Sequence, residues 1–134
     1  MAWRNYRLPS QKGGGKFGNH MVQVDGIMFP SKREASRWLE LKMLEKSGRI
    51  YDLQRQVKFE LIPAQYEPDI IGPRGGRKKG KLIEHELAYI ADFVYYDNDT
   101  QAVVVEDTKG FRTPEYIIKR KLMLFLKGIK IVEV

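Results

Sequence analysis

The chain contains no cysteine, which removes both a disulfide framework and a thiolate zinc site from consideration. Nothing therefore points to an oxidising compartment, and the cytoplasm is the expected location. Histidine is almost as scarce. His20 and His85 share no ligand spacing, which argues against a histidine-built metal centre. No apolar run reaches the roughly 18 to 20 residues of a membrane span, and the residues around Trp3 and Arg4 lack the apolar stretch of a signal sequence, so a soluble protein with no membrane partner is expected. The Gly13-Gly14-Gly15 run is followed by Lys16-Phe17, whereas a P-loop needs Gly-Lys-Ser/Thr entering a helix; that reading fails, and no organic cofactor is expected. Acidic residues are outnumbered by basic ones, 17 to 24, for a net charge of +7. Such an excess suits a polyanionic partner, because each neutralised phosphate releases counterions. The total alone would equally suit a ribosomal or anionic-lipid partner.

What is present is 134 residues, 43% of them hydrophobic, enough for one domain with a core of its own. Residues 1 to 20 carry Arg4, Arg7, Lys12 and Lys16 around the triple glycine and few apolar side chains, which predicts a flexible basic arm ahead of a single domain over residues 21 to 134. Met21 to Phe29 alternates around Asp25-Gly26, the two-residue turn of a β-hairpin. Ser31 opens a helix to about Lys46, with Trp38, Leu39, Leu41 and Leu44 on its apolar side and Gly48 placed to end it. Ile50 to Ile62 reads as a strand ending at Pro63. From Tyr66 to Lys81 glycine, proline and five cations predict a basic loop. Leu87 to Tyr96 and Gln101 to Thr108 are strands joined by four polar residues, a core hairpin. Thr113-Pro114 starts a helix to about Lys127, with Ile118, Leu122, Phe125 and Leu126 on one face and Gly128 as its stop, and Ile129 to Val134 is a last strand.

The chemistry is carried by the core hairpin. In Val103-Val104-Val105-Glu106-Asp107-Thr108-Lys109, a period of two puts Val103, Val105, Asp107 and Lys109 on one face and Glu106 on the other. In the partner strand Asp92 falls on the face of Ile90 and Val94. Charges that extend buried apolar rows must be paired or bound, because an isolated buried charge is very costly. Pairing through the four-residue turn brings Asp92 and Asp107 toward the same end of neighbouring strands, close enough to share a hard cation such as Mg²⁺, with Lys109 beside it. Phosphodiester hydrolysis needs an activated water and neutralisation of the charge that builds on phosphorus, and a carboxylate-held metal with a nearby lysine supplies both. The bland alternative is an Asp107–Lys109 ion pair beside a strand-end aspartate.

Two readings stand for Glu34. It lies beside the helix stripe of Trp38 and Leu41 and so could reach the metal; Ser31-Lys32-Arg33-Glu34 is also a capping box in which its carboxylate bonds back to the Ser31 amide. Lys119, Arg120 and Lys121, together with Arg74, Arg77, Lys78, Lys79 and Lys81, are candidate phosphate contacts. Gln54 and Gln56 are candidates to touch DNA or a metal-bound water.

On Glu34, Asp92, Asp107, Lys109 and the following Gly110, residues 27 to 134 resemble the PD-(D/E)XK nuclease superfamily, and more closely its small phage-type endonucleases and Holliday-junction resolvases. Ala91 stands where the motif's proline is usual, and Asp107 where glutamate is commoner; a bulged strand would instead make Glu106 the ligand. The resemblance implies an α/β fold with a mixed central β-sheet flanked by helices, a restriction-endonuclease-like core. It implies Mg²⁺, with Mn²⁺ able to substitute, held by Asp92, Asp107, Glu34 and the Thr108 carbonyl. It also implies a DNA endonuclease leaving a 5′ phosphate, acting on branched DNA or Holliday junctions as a homodimer, encoded by a phage or prophage and working in the cytoplasm of a bacterial host. A sequence-specific or single-strand nuclease on the same core and a non-catalytic basic DNA-binding module are the rival expectations.

Overall fold

A computed structural model describes residues 21–134, and the expected basic arm of residues 1–20 lies outside the described residues. Asp25 and Gly26 both take positive φ, 53° and 76°, as a type I′ turn requires, and they close the hairpin of β1 (Val22–Val24) and β2 (Ile27–Phe29). Ser31 then caps α1 (Lys32–Lys46), its hydroxyl accepting from the Glu34 amide at 3.2 Å. The helix buries Glu34, Ala35, Trp38 and Leu41, while Leu39, expected on the same side, is exposed.

The next strand, β3 (Ile50–Ile62), has the predicted limits. The expected basic loop is instead ordered into short strands, β4 (Gln65–Tyr66), β5 (Ile70–Ile71), β6 (Arg77–Lys78) and β7 (Leu82–Glu84), paired β4 with β7 and β5 with β6. Its glycines and prolines masked the short pairings. The chain returns through β8 (Leu87–Asp97), turns where the Asp97 carboxylate accepts from the amides of Asp99 and Thr100, and continues as β9 (Val103–Asp107). Thr113 caps α2 (Pro114–Lys127), Gly128 ends it at φ 64°, and β10 (Val132–Glu133) is shorter than the predicted last strand.

The central sheet runs β10-β9-β8-β3, antiparallel except for the parallel β10–β9 pair. It is covered on both faces. Phe93 and Tyr95 pack with Phe29, Trp38 and Leu41 on the α1 side, and Val94 and Val105 pack with Tyr116 and Met123 on the α2 side. Two-sided cover explains the unbroken buried run Phe93-Val94-Tyr95. The chain is thus an α/β domain with a mixed central sheet and two helices, the coarse architecture the resemblance implies.

Two apolar rows depart from the expected pattern. Ile118, Phe125 and Leu126 of α2 are exposed, and the helix meets the sheet through Tyr116 and Met123, with Leu122 at the margin. This helix is apolar most of the way round, so periodicity alone could not choose its buried side. In β8, Ile90 is exposed rather than sharing a buried row with Asp92. The alternation also breaks at Asp92. Ala91 packs on the α2 side, yet Phe93, two residues on, packs on the α1 side. The register puts Gln56 opposite Asp92, and Gln56 holds φ at +51°, a left-handed conformation that turns β3 at the same point.

Candidate active site

The irregularity at Gln56 and Asp92 aims polar groups from four elements at one place. Asp107 ends β9, where its carbonyl accepts from the Val134 amide at 3.0 Å, so the last strand pins it. Its Oδ2 accepts from the Tyr89 hydroxyl at 2.5 Å. Its Oδ1 is buried, receives no aligned hydrogen bond and lies 2.9 Å from Lys109 Nζ. The ladder pairs Phe93 with Glu106, so one step further Asp92 stands across from Asp107. Asp92 Oδ2 accepts from the Thr108 amide at 2.8 Å and the Thr108 hydroxyl at 2.7 Å. Glu34 comes from α1, and Gln56 Nε2 donates both to Glu34 Oε1 and to Asp92 Oδ1, each at 3.3 Å.

Electrostatics record the crowding. The Glu34 carboxyl is pushed up to about 7, first by burial and then by repulsion from Asp92 and Asp107, against the pull of Arg55, whose Nη2 is 3.7 Å from Oε1. Asp107 is also raised, chiefly by burial, against the pull of the Tyr89 hydrogen bond and the neighbouring Lys109 ammonium. Lys109 Nζ also sits 4.2 Å from the centre of the Tyr116 ring, so two partners hold it in place.

Asp92, Asp107 and Lys109 line one open cleft of about 870 Å³, whose far wall is Thr113, Tyr116 and Lys119 of α2 and its cap. Sequence-predicted Asp92, Asp107 and Lys109 are therefore brought together, and Glu34 joins them through Gln56. The Glu34 amide is capped by Ser31, but the glutamate side chain points to Gln56 and Arg55, so the capping box is half formed. Among the described residues, no three carboxylate or imidazole groups converge on one ion position as the side chains stand. Thr108 meets Asp92 through its amide and hydroxyl.

Glu106 is placed on the α1 side. Arg37 grips it with two hydrogen bonds, Nε to Oε2 at 2.9 Å and Nη2 to Oε1 at 2.5 Å, and Tyr95 donates at 2.6 Å. The strand is unbulged there, so Asp107 is the residue that faces the cleft. Of the three candidate phosphate contacts in α2, Lys119 reaches the cleft, where it pairs with Glu115; Arg120 is held by Glu133, and Lys121 is exposed. The five cations from Arg74 to Lys81 lie in the short-strand segment and do not line the cleft.

Tyr89, Arg55, Arg37 and Tyr116 were not foreseen. Each acts from an element distant in sequence, and an aromatic or arginine in a strand or helix signals nothing about which carboxylate it will meet. Gln56 and Thr108 were named from the sequence, Thr108 by its carbonyl, whereas its amide and hydroxyl are what meet Asp92.

A mixed-sheet α/β domain with a carboxylate and lysine cleft at the end of its central strands is the class that fold and site define. A family model described as "Protein of unknown function (DUF1064)" matches residues 14–130, and the chain belongs to that family. No curated protein and no solved structure matches it.

Proposed function

We propose that the chain is a metal-dependent DNA endonuclease of the PD-(D/E)XK kind on a restriction-endonuclease-like core. The observation that carries the reading is the convergence of Asp92, Asp107 and Lys109, from two adjoining strands, on one open cleft beside a buried Glu34. Repulsion from Asp92 helps raise Glu34 and Asp107, and a hard divalent cation relieves such repulsion; the donor set, oxygen throughout, fits Mg²⁺ or Mn²⁺. Asp92 and Asp107 would hold it, with the Thr108 carbonyl and Glu34 as further oxygens. Bound there, the ion would lower the pKa of a water and counter charge on the phosphate.

The chain's own groups do the rest. Lys109, fixed between Asp107 and Tyr116, orients the attacking water and meets a non-bridging phosphate oxygen. Gln56 holds Glu34 and Asp92 at one spacing. Water adds to phosphorus and the bond to O3′ breaks, leaving a 5′ phosphate and a 3′ hydroxyl. By the family resemblance the substrate is branched DNA met in phage DNA processing inside a bacterial cell, cut by a homodimer, and the exposed Ile118 and Phe125 of α2 offer that dimer an apolar surface.

One observation favours a second reading, a non-catalytic DNA-binding module. Asp92 and Asp107 already accept from Thr108, Gln56 and Tyr89 and pair with Lys109, so the cluster can be satisfied without metal. Cleavage of labelled four-way junction and matched linear DNA, with Mg²⁺, with Mn²⁺ and with EDTA, separates the two. The nuclease cuts with either metal and stops in EDTA, and Asp107→Ala binds DNA without cutting it. Salt-sensitive binding with no cutting under any metal condition selects the module.

A further inference from the structure

Residues 63 to 86 leave the sheet between β3 and β8 as a two-stranded arm. Gln65 pairs with Glu84 near its base, and Ile70 with Lys78 and Ile71 with Arg77 further out; among the described residues these strands pair only with each other. The arm is nonetheless tightly built. The Glu67 amide donates to the Lys81 carbonyl at 2.8 Å, and the Gly80 amide donates to Asp69 Oδ1 at 3.2 Å. Gly80 has no room for a side chain, since an added Cβ would lie 1.8 Å from the Glu67 carbonyl oxygen.

A short ribbon without a core is marginal in water, and this one also leaves Ile70 and Ile71 at 61% and 77% exposure. Around them the charge is of one sign. Residues 70 to 81 hold five cations and no carboxylate. Arg77 is met by Asp69 at 3.3 Å and Lys79 lies over the Tyr66 ring at 3.9 Å, whereas Arg74, Lys78 and Lys81 form no ion pair with another described residue.

Consecutive strand residues face opposite ways, so Ile70 shares its face with its cross-strand partner Lys78, and an exposed apolar side chain beside a cation that has no ion pair among the described residues matches a surface that is apolar at its centre and anionic at its edge. The open face of a base pair, bordered by phosphates, is such a surface; it is exposed where a duplex branches or kinks, and isoleucine-sized side chains wedge into such steps in other proteins. We infer that the tip of the arm docks on branched or kinked DNA, with Ile70 against the unstacked base pair and Lys78, on the same face, together with Arg74 on the flanking phosphates. The inference rests on the nuclease reading for its choice of DNA. It adds that discrimination between branched and linear DNA resides in the arm, outside the cleft.

The test is binding of the full chain, in EDTA, to fluorescent four-way junction and to linear duplex of the same sequence, alongside cleavage of the linear duplex in Mg²⁺. Ile70→Ser with Ile71→Ser should weaken junction binding about 10-fold, a range set by one or two lost apolar contacts, and leave linear binding and linear cleavage within about 2-fold. Both isoleucines are exposed, so the fold should keep its melting temperature. Gly80→Ala, which distorts the arm without touching a cation, should reproduce the loss. Arg74→Gln with Lys78→Gln should weaken both DNAs and reduce the salt slope by about two. Unchanged junction preference in the serine and Gly80→Ala variants overturns the inference while leaving the nuclease intact. Loss of binding to phosphatidylserine vesicles, with DNA binding kept, also overturns it, in favour of a membrane surface. Wild-type protein that neither binds nor cuts DNA sinks the nuclease reading itself.

Discussion

Glu106 and Asp107 are consecutive carboxylates at the end of one strand, and burial does not distinguish them, since both are almost wholly enclosed. Their partners do. Glu106 receives a two-pronged arginine and a tyrosine hydroxyl, which is a complete set for a buried anion. Asp107 receives one tyrosine hydroxyl and one lysine, keeps a buried oxygen without an aligned donor, and stands across from a second carboxylate at the mouth of a cleft. The first anion is compensated by the fold, and the second is left with capacity for a cation. Burial of an acidic residue thus says little about its role until its donors are counted.

Asp107→Asn should break the comparison on the functional side, lowering the cleavage rate about 10³-fold, equivalent to about 4 kcal/mol in the barrier. Its melting temperature should hold or rise, because repulsion with Asp92 and Glu34 is relieved. Single-turnover cleavage and thermal melting on the same preparation check both halves. Glu106→Gln should do the reverse, costing about 2 kcal/mol of stability by breaking the two-pronged Arg37 pair and leaving that guanidinium only the exposed Glu40, with the rate at 20 °C nearly kept in the fraction that remains folded. Loss of rate without loss of stability in Glu106→Gln would mean that the two acids have been assigned the wrong way round.

Glu34 sharpens the same contrast through pH. Its pKa lies near 4.5 in the unfolded chain and about 7 in the fold. The folded state therefore holds the proton more tightly, and the advantage, full below about 4.5, is lost as pH rises through 7. Metal-free protein should be less stable at pH 8 than at pH 5 by an amount on the order of 3 kcal/mol, and Glu34→Gln should flatten that difference. Urea midpoints in EDTA at the two pH values decide it; equal slopes in wild type and variant would remove Glu34 from the crowded cluster. The smallest effect is expected at Gln56, whose φ of +51° is strained for any residue with a Cβ. Gln56→Gly should be more stable than Gln56→Ala by about 1 kcal/mol, while both lose the bridge between Glu34 and Asp92 and show equally reduced cleavage.

Most of the scaffold was legible along the chain because its signals are local. Asp25-Gly26 specified its hairpin, Ser31 and Thr113 their helix starts, Gly128 a helix stop, and Ile50–Ile62 a strand. The acid and base pattern of Asp92, Asp107 and Lys109 was legible for the same reason, since polar residues interrupting apolar strand rows stand out without knowledge of the fold.

Sequence by itself determined the order of the two helices and the longer strands and the identity of the carboxylates and lysine that meet. Tertiary structure alone decided which neighbour compensates each charge: Arg37 on Glu106, Tyr89 on Asp107, and Gln56 between Glu34 and Asp92. It also decided that α2 turns Phe125 outward at 85% exposure, and that a glycine-rich basic segment stands out as a paired arm. These outcomes depend on contacts between residues far apart in the chain, and a periodicity of two or 3.6 carries no information about which distant side chain will fill the space opposite.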